Sequence, residues 1–411
     1  MPIIYNFVVS VTWLFLKLAA LVNPKLSLFV KGRRHSLSTL QSAISETDKT
    51  IWVHAASLGE YEQGLPIMEK LKDEYPTYKI LLTFFSPSGY EVKKNTNAAN
   101  IVCYLPIDTK NNATTFLDVV KPELVLFIKY EIWPNYLAEI KTRSIPTLLV
   151  SALFKKSQIY FKGYGGFMRN ALSAFTHFYV QNDNSEKLLN SLGFKNVTVA
   201  GDTRFDRVHE ILQRDNRLEF MENFKQDSFC FVAGSTWPED ENIIVPYINE
   251  ATSDEKFVLA PHNIKSEHIK DLNNSITKTT ILFSELSTKT SKDAKVLIID
   301  TIGLLTKVYS YADVAYVGGG FATGLHNTLE PAVFGIPVII GSKYQGFLEA
   351  EKLVKLGGIT SVNNEIDFSI NVKQFRNNTS LRQSRGRINT EYIIKNKGAS
   401  VQIMEHIRTL V

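Results

Sequence analysis

Three side chains in the first half of the chain have the types and settings that proton transfer and charge stabilisation require. Glu60 closes the run His54-Ala55-Ala56-Ser57-Leu58-Gly59-Glu60, directly after the apolar stretch Ile51-Trp52-Val53. Small residues such as Ser57 and Gly59 bring the backbone close to a ligand and deliver Glu60 to the mouth of a helix. A carboxylate there accepts a proton, provided its surroundings do not hold it too acidic. The plainer alternative is an acid that merely complements a helix N-terminus. Glu131, in Lys129-Tyr130-Glu131-Ile132-Trp133-Pro134-Asn135, follows Leu124-Val125-Leu126-Phe127 and so falls on the same strand edge. Trp133 and Pro134 are expected to pack. Arg204, in Gly201-Asp202-Thr203-Arg204-Phe205-Asp206, can neutralise a carboxylate or phosphate, or pair with Asp202 or Asp206. Ser86 and Ser88 in Ser86-Pro87-Ser88-Gly89 offer hydroxyls to a polar acceptor, or form an ordinary helix cap.

The second half carries a different chemistry. From Val317 to Gly341 an apolar run stops at three glycines, a polar loop follows, and a second apolar run resumes after a short helix. Glycines let backbone approach an anion, and a helix N-terminus presents unpaired N–H groups with a favourable dipole. This reads as a nucleotide-binding corner. If Asn327 is the N-cap, Asn327-x-x-Glu330 is a capping box and Glu330 is structural. If Pro331 takes the first helical position, the arrangement its missing N–H favours, Glu330 lies just outside and can reach a ligand's hydroxyls. Gly234-Ser235-Thr236, Pro261-His262 and Thr301-Ile302-Gly303 are further small or polar sets at the ends of apolar runs. Four such loops converging on one edge carry more weight than any one glycine cluster.

These loops need parallel strands to position them. Apolar runs at 51–53, 80–82, 101–104, 124–127, 147–150 and 178–180 alternate with amphipathic stretches such as 65–75 and 184–192. That alternation predicts a parallel sheet with helical crossovers. It pauses over the polar stretch 207–226 and restarts at 229–232, continuing through 257–259, 296–299, 314–317 and 338–340. Two α/β domains in tandem are expected, with ligands beyond the strands' carboxyl ends and a cleft between the domains. The segment Phe154 to Arg169 mixes Lys155, Lys156, Lys162 and Arg169 with five aromatic rings, which suits an anionic lipid surface or a solvated helix packed by aromatics.

Composition narrows the classes. The 411 residues carry a formal charge of +5 without a concentrated basic stripe, so no nucleic acid is expected. Cys103 and Cys230 sit in apolar runs as expected buried thiols, and the eight histidines show no metal-ligand pattern, so no metal is expected. Ile3 to Val22 is apolar and of bilayer-spanning length, with Lys31, Arg33, Arg34 and His35 following. It reads as a retained anchor, spanning or interfacial, with the basic flank placing the chain on the cytoplasmic side.

The motifs Ser57-Leu58-Gly59-Glu60, Glu131-Ile132-Trp133-Pro134-Asn135, the 201–206 segment, Gly234-Ser235-Thr236, Asp300-Thr301-Ile302-Gly303 and His326-Asn327-Thr328-Leu329-Glu330-Pro331 occur together in this order. In order and spacing the chain resembles the 3-deoxy-D-manno-octulosonic acid (Kdo) transferases of bacterial lipopolysaccharide synthesis. These are membrane-associated glycosyltransferases of the GT-B type, with two Rossmann-like domains. The resemblance implies an anchor at 1–22, an acceptor-binding domain at 23–206, a linker at 207–226, a CMP-sugar-binding domain at 227–386 and a helical tail at 387–411 returning to the first domain. It implies Glu60 as general base, with Glu131 and Arg204 stabilising the transition state. Ser235, Thr236, Pro261, His262, Thr301, Ile302, Gly303, Asn327, Thr328, Leu329 and Glu330 would hold the CMP part of the donor. Ser57, Gly59, Ser86 and Ser88 would meet the acceptor. The implied reaction is an inverting transfer of Kdo from CMP-Kdo to the lipid A precursor (lipid IVA) at the cytoplasmic face of the inner membrane, without a cofactor. The chain departs from the family pattern at Arg204 (usually lysine), His262 (commonly arginine), Leu304 (an acidic position) and Lys129-Tyr130. A sugar-nucleotide epimerase of the same architecture and a non-catalytic nucleotide-sugar-binding protein are the alternative classes.

Overall fold

Strands that are apolar along their whole length, without alternation, must be covered on both faces, and a parallel sheet flanked by helices does this. The computed structural model describes residues 2–252, 254–287 and 291–411. Its first sheet contains β1 (Lys49–Ala55), β2 (Tyr78–Phe84), β3 (Ile101–Tyr104), β4 (Pro122–Ile128), β5 (Thr147–Ala152), β6 (His177–Val180) and β7 (Val197–Val199), in the order β3-β2-β1-β4-β5-β6-β7. The second contains β8 (Phe229–Thr236), β9 (Glu255–Pro261), β10 (Thr280–Leu282), β11 (Val296–Ile298), β12 (Val314–Val317), β13 (Val338–Ile340) and β14 (Ile359–Ser361), in the order β10-β11-β9-β8-β12-β13-β14. Each described pairing is parallel. Strand order reverses at β1/β4 in one sheet and at β8/β12 in the other, the positions where doubly wound folds bind ligands.

The chain divides into two compact units, Met1–Arg207 with Asn396–Val411, and Val208–Lys395. Both faces of the first sheet are packed, one around Trp52, Phe116, Phe127 and Tyr136, the other around Ile51, Val53, Leu82 and Leu126. The last helix, Ala399–Ile407, belongs to that second face: Ala399, Ile403, Met404 and Ile407 are fully or almost fully buried in it. Its start is held by Asp206, whose carboxylate accepts the N–H groups of Gly398 at 2.5 Å and Ser400 at 2.8 Å. Asp206 thus acts as a cap supplied from far away in sequence. In the second unit Phe231, Tyr316, Tyr247 and Phe368 form the centre of the core. Cys103 and Cys230 are free and buried, as expected.

Three stretches differ from the sequence expectation. Residues 207–226 are not an open linker, because helices Arg204–Ile211 and Glu219–Lys225 occupy most of the stretch and bury Met221 and Phe224. The tail does not return as one piece: the helix Thr379–Asn396 stays with the second unit as far as Lys395, with the buried Asn389 bonding the carbonyls of Ile336 and Gly358, and only Asn396–Val411 join the first. Arg33 is not part of an exposed basic flank. It is buried among Phe29, Phe85 and Tyr104 and donates to the carbonyls of Phe29, Phe85 and Leu105, and burial lowers its pKa to about 10.

The apolar front is the helix Pro2–Ala19, long and apolar enough to cross a membrane, with no buried residue. It touches the first sheet's carboxyl edge. Tyr5 donates to Asp108 at 2.6 Å, and the amides of Asn6 and Asn135 face each other, Asn135 Nδ2 donating at 3.0 Å.

Candidate active site

In the first unit, the sheet's carboxyl edge is built by the loops after β1, β2 and β4. Ser57 is the N-cap of the helix Leu58–Glu74, which places Glu60 in its first turn. Glu60 is 5% exposed, and its Oε2 accepts the Ala56 N–H at 2.5 Å. Burial pushes its pKa up to about 7, and the charge of Glu131 adds to this. The N–H groups of Ala56 and Ser57 and the charge of Lys129 oppose it. A carboxyl so placed changes protonation near neutrality, as a general base should. A Cβ at Gly59 would meet nothing closer than the Ser57 hydroxyl at 4.0 Å, so the space beside it is open.

Glu131 follows β4, and β4 pairs with β1, so the two glutamates stand at the ends of adjacent strands. The backbone at Lys129 takes a positive φ of 70°, a conformation that a lysine adopts only at some cost and that re-aims the loop carrying Glu131. Glu131 Oε2 accepts the Trp133 Nε1–H at 3.0 Å and lies 3.4 Å from His54 Nε2. Trp133 also packs on Phe85, the rings tilted by 35° with centroids 4.7 Å apart, so the residue expected to pack also holds the carboxylate.

Arg204 follows β7 at the sheet's far side in strand order, yet it is drawn to the same helix as Glu60. Thr203 Oγ1 donates to the Gln63 carbonyl, and Gln63 Nε2 donates to Asp202 at 3.1 Å. Asp202 in turn takes Arg204 Nε at 3.0 Å and Nη2 at 2.8 Å. Of the partners the sequence allowed, Arg204 pairs with Asp202, while Asp206 caps the last helix. Burial alone would raise the Asp202 pKa, but the Arg204 charge and hydrogen bonds outweigh it and hold the carboxyl below its usual range. Ser86 is the N-cap of the helix Pro87–Lys93, accepting the Ser88 N–H at 3.2 Å, and the two hydroxyls lie 2.8 Å apart. Gly89 has a packing reason as well, since a Cβ would lie 2.5 Å from Phe84.

In the second unit, β8 ends in Ser235, whose φ of 55° is left-handed, and in Thr236, which is buried and donates to Glu241 at 2.8 Å. Gly318 lies so near Ser235 that a Cβ would be 2.2 Å from its carbonyl oxygen, and Gly320 and Gly341 crowd each other in the same way where β12 and β13 end. These close approaches, rather than a phosphate alone, explain why glycines stand there. Pro261 ends β9 and is buried, and His262 lies exposed, stacked on Trp237 at 4.7 Å and 19°. His326 completes a ring cluster, 4.6 Å from His262, and accepts the Trp237 indole N–H at 3.0 Å. Burial, with His262 adding to it, holds the His326 pKa down to about 4, so this imidazole is neutral at physiological pH. Trp237, which directly follows Gly234-Ser235-Thr236, carried no sequence expectation, and His326 opens the 326–331 motif but was assigned no contact of its own.

Ile302 is 84% exposed and Gly303 has a φ of 99°, so Thr301 to Gly303 form an open turn. Thr328 and Leu329 are buried, so they shape the loop from beneath rather than from its open surface. The placement of Glu330 matches neither alternative. The helix is the single turn Leu329–Ala332, with Thr328 as N-cap and Pro331 as its third residue. Pro331 is tolerated there because the first-turn N–H groups lack intrahelical partners anyway. Glu330 lies inside the turn, accepting Asn327 Nδ2 at 3.1 Å and the Thr306 hydroxyl at 2.9 Å. Among the described residues, no group of three or more His, Cys, Asp or Glu side chains is placed to hold a metal ion.

The paired doubly wound sheets are the GT-B architecture of glycosyltransferases and related nucleotide-sugar enzymes. A UDP-GlcNAc 2-epimerase from Neisseria meningitidis, 17% identical, matches with a TM-score of 0.61 over 88% of this chain and 100% of that one, a likeness that shows the fold alone. Sequence relatives decide between the chemistries. A family model described as 3-deoxy-D-manno-octulosonic-acid transferase (kdotransferase) matches residues 31–207. The 3-deoxy-D-manno-octulosonic acid transferase of Chlamydophila psittaci is 30% identical over 324 residues, 76% of this chain and 74% of that one. That of Haemophilus influenzae is 27% identical over 373 residues, 87% and 86%. The chain belongs to the Kdo transferases, the glycosyltransferases that move this sugar in lipopolysaccharide synthesis.

Proposed function

We propose that the chain transfers Kdo from CMP-Kdo to a hydroxyl of the lipid A precursor with inversion at the anomeric carbon. Glu60 takes the acceptor's proton while that oxygen attacks, and CMP departs from the opposite face. The observation that carries this is the buried Glu60 carboxyl, raised to about 7 beside Glu131 at the carboxyl edge of the first sheet. Glu131 and Arg204 stabilise charge in the transition state, with positioning supplying part of the acceleration. Ser57, Gly59, Ser86 and Ser88 line the acceptor's approach. The loops of the second unit at 235–236, 261–262, 301–303 and 327–330 hold the CMP portion, and Lys265 is a weaker phosphate contact. No cofactor takes part. The helix Pro2–Ala19 attaches the protein to the cytoplasmic face of the inner membrane, beside its lipid substrate.

Incubation with CMP-Kdo and lipid IVA tests the reaction. Release of CMP together with a lipid heavier by one or more Kdo units is the expected result. CMP bound but never released from CMP-Kdo would instead mark a non-catalytic binding protein. Glu60→Gln should abolish transfer and leave CMP binding nearly intact; turnover near wild type would remove Glu60 from the role of base.

A further inference from the structure

Ser151, near the carboxyl end of β5, takes a left-handed φ of 52°, a conformation that glycine adopts freely and serine only at some cost. The pairing of β5 with β6 shifts register between Leu149 and Ala152, so Ser151 lies in a bulge that re-aims its side chain. The hydroxyl turns to the segment that carries Arg204. Thr203 gives its N–H to Ser151 Oγ at 3.3 Å, and the two side-chain oxygens lie 3.0 Å apart. A hydroxyl has one hydrogen, and that of Thr203 goes to the Gln63 carbonyl, so Ser151 is the donor between them. Both residues are fully buried, and each hydroxyl must find its partner within the protein. Across the turn, Gln63 Nε2 holds Asp202 at 3.1 Å, and Asp202 takes Arg204 through Nε and Nη2. Gln63 Oε1 is buried without a hydrogen-bond partner among the described residues, so a second local cost falls on the same turn. Costs gathered at one place mark a geometry that function requires.

We propose that Ser151 is a positioning residue for the transfer: its strained backbone puts a donor against Thr203, and through Thr203 and Asp202 this fixes Arg204 to the helix that carries Glu60. The proposal rests on the reading of Arg204 as a stabiliser of transition-state charge. Glu60 and Gln63 lie three residues apart in the helix Leu58–Glu74, so the 202–204 turn is tied about one helical turn from the base. Gln181, after β6, fixes Ser151 in turn, its Nε2 donating to the Ser151 carbonyl at 3.0 Å. A guanidinium acts fully on a developing charge only when it is already in place, because an unheld arginine must first lose its rotamer freedom.

Two substitutions separate positioning from folding. Ser151→Gly relieves the backbone and removes the hydroxyl, whereas Ser151→Ala removes the hydroxyl and keeps the strain. Turnover of CMP-Kdo and lipid IVA should fall about 10-fold in both, with KM for CMP-Kdo within about twofold of wild type. Ser151→Gly should nevertheless unfold at a higher urea concentration than Ser151→Ala. Turnover that follows the unfolding midpoint, or a Ser151→Gly protein as fast as wild type, would overturn the proposal. A cycle with Arg204→Gln tests the route. Where Arg204→Gln lowers turnover by about 100-fold, adding Ser151→Gly should lower it no further, since no guanidinium is left to position. Losses that multiply overturn the proposal. A readout without turnover stands beside the cycle. Burial raises the Asp202 pKa, and the Arg204 charge and hydrogen bonds, with that of Gln63, bring it below the usual range. Carboxyl ¹³C titration should therefore show Asp202 titrating at higher pH in Ser151→Gly than in wild type, and an unmoved midpoint overturns the proposal. If wild type binds CMP-Kdo without turning it over, or Arg204→Gln is as active as wild type, the assigned role of Arg204 fails while the Asp202 titration still decides whether Ser151 holds it.

Discussion

Glu60 and Glu330 are both first-turn glutamates in loops after parallel strands, yet their surroundings treat them in opposite ways. Glu60 is almost fully buried, meets the charge of Glu131, and has backbone N–H groups as its main compensation. Glu330 is half-buried and has a side-chain donor on each oxygen, Asn327 on one and Thr306 on the other. A helix start favours a carboxylate in either place. What differs is solvation and neighbouring charge, and these set the job: Glu60 is poised to gain a proton near neutrality, while Glu330 is a fixed acceptor.

Removing the proposed base should produce the larger effect. Glu60→Gln is expected to lower turnover by about 10²–10⁴-fold, the range for loss of general base catalysis. In wild type the rate should climb with pH through about 7, because the deprotonated form is the active one. Glu330→Gln should keep that limb of the profile where it is. A profile that moves with Glu330 rather than with Glu60 would reverse the assignment.

The same raised pKa makes a prediction about stability. The folded-state value lies above the unfolded one near 4.5, so the protonated side chain favours folding below about pH 4.5. That contribution is lost as pH rises through about 7. At pH 8.5, Glu60→Gln should therefore be more stable than wild type by about 3 kcal/mol, and near pH 4 the two should converge. Urea unfolding at the two pH values reads the difference. For Glu330→Gln the expected cost falls on the nucleotide instead. Loss of a charged acceptor is worth about 1.5–3 kcal/mol, or roughly 10–100-fold in the Kd for CMP measured by calorimetry. A change below twofold would make Glu330 a capping residue only.

The central strands were legible in the sequence because strands buried on both faces leave continuous apolar runs. β7, β10 and β14 were not, since Val197-Thr198-Val199, Thr280-Ile281-Leu282 and Ile359-Thr360-Ser361 are three-residue strands, each interrupted by a hydroxyl residue and each at a sheet edge. Glu60 and Glu131 could be placed on one edge from strand ends alone. The seat of Glu131 against Trp133 and His54 could not, because it depends on the register of β1 against β4 and on the left-handed turn at Lys129. The short helix near Pro331 was expected but its start at Leu329 escaped for a related reason: four residues with proline third carry no periodicity, and one of the contacts that fix Glu330 comes from Thr306, in the separate short helix Leu305–Val308.

Thr306 gives the finest test of the comparison. Its hydroxyl is the donor on Glu330 Oε2, and Thr306→Val removes that donor while keeping the side chain's shape. Because Thr306 is only partly buried, water can take the vacated position, so the loss should be near 1 kcal/mol rather than the full cost of a stranded acceptor. If Glu330 meets the nucleotide's hydroxyls and depends on Thr306 for its orientation, the Kd for CMP should rise by about fivefold, with the pH profile of turnover unchanged. An unchanged Kd together with a lower unfolding midpoint would mean that Thr306 and Glu330 brace the loop, and that the fixed acceptor of this pair serves the fold alone.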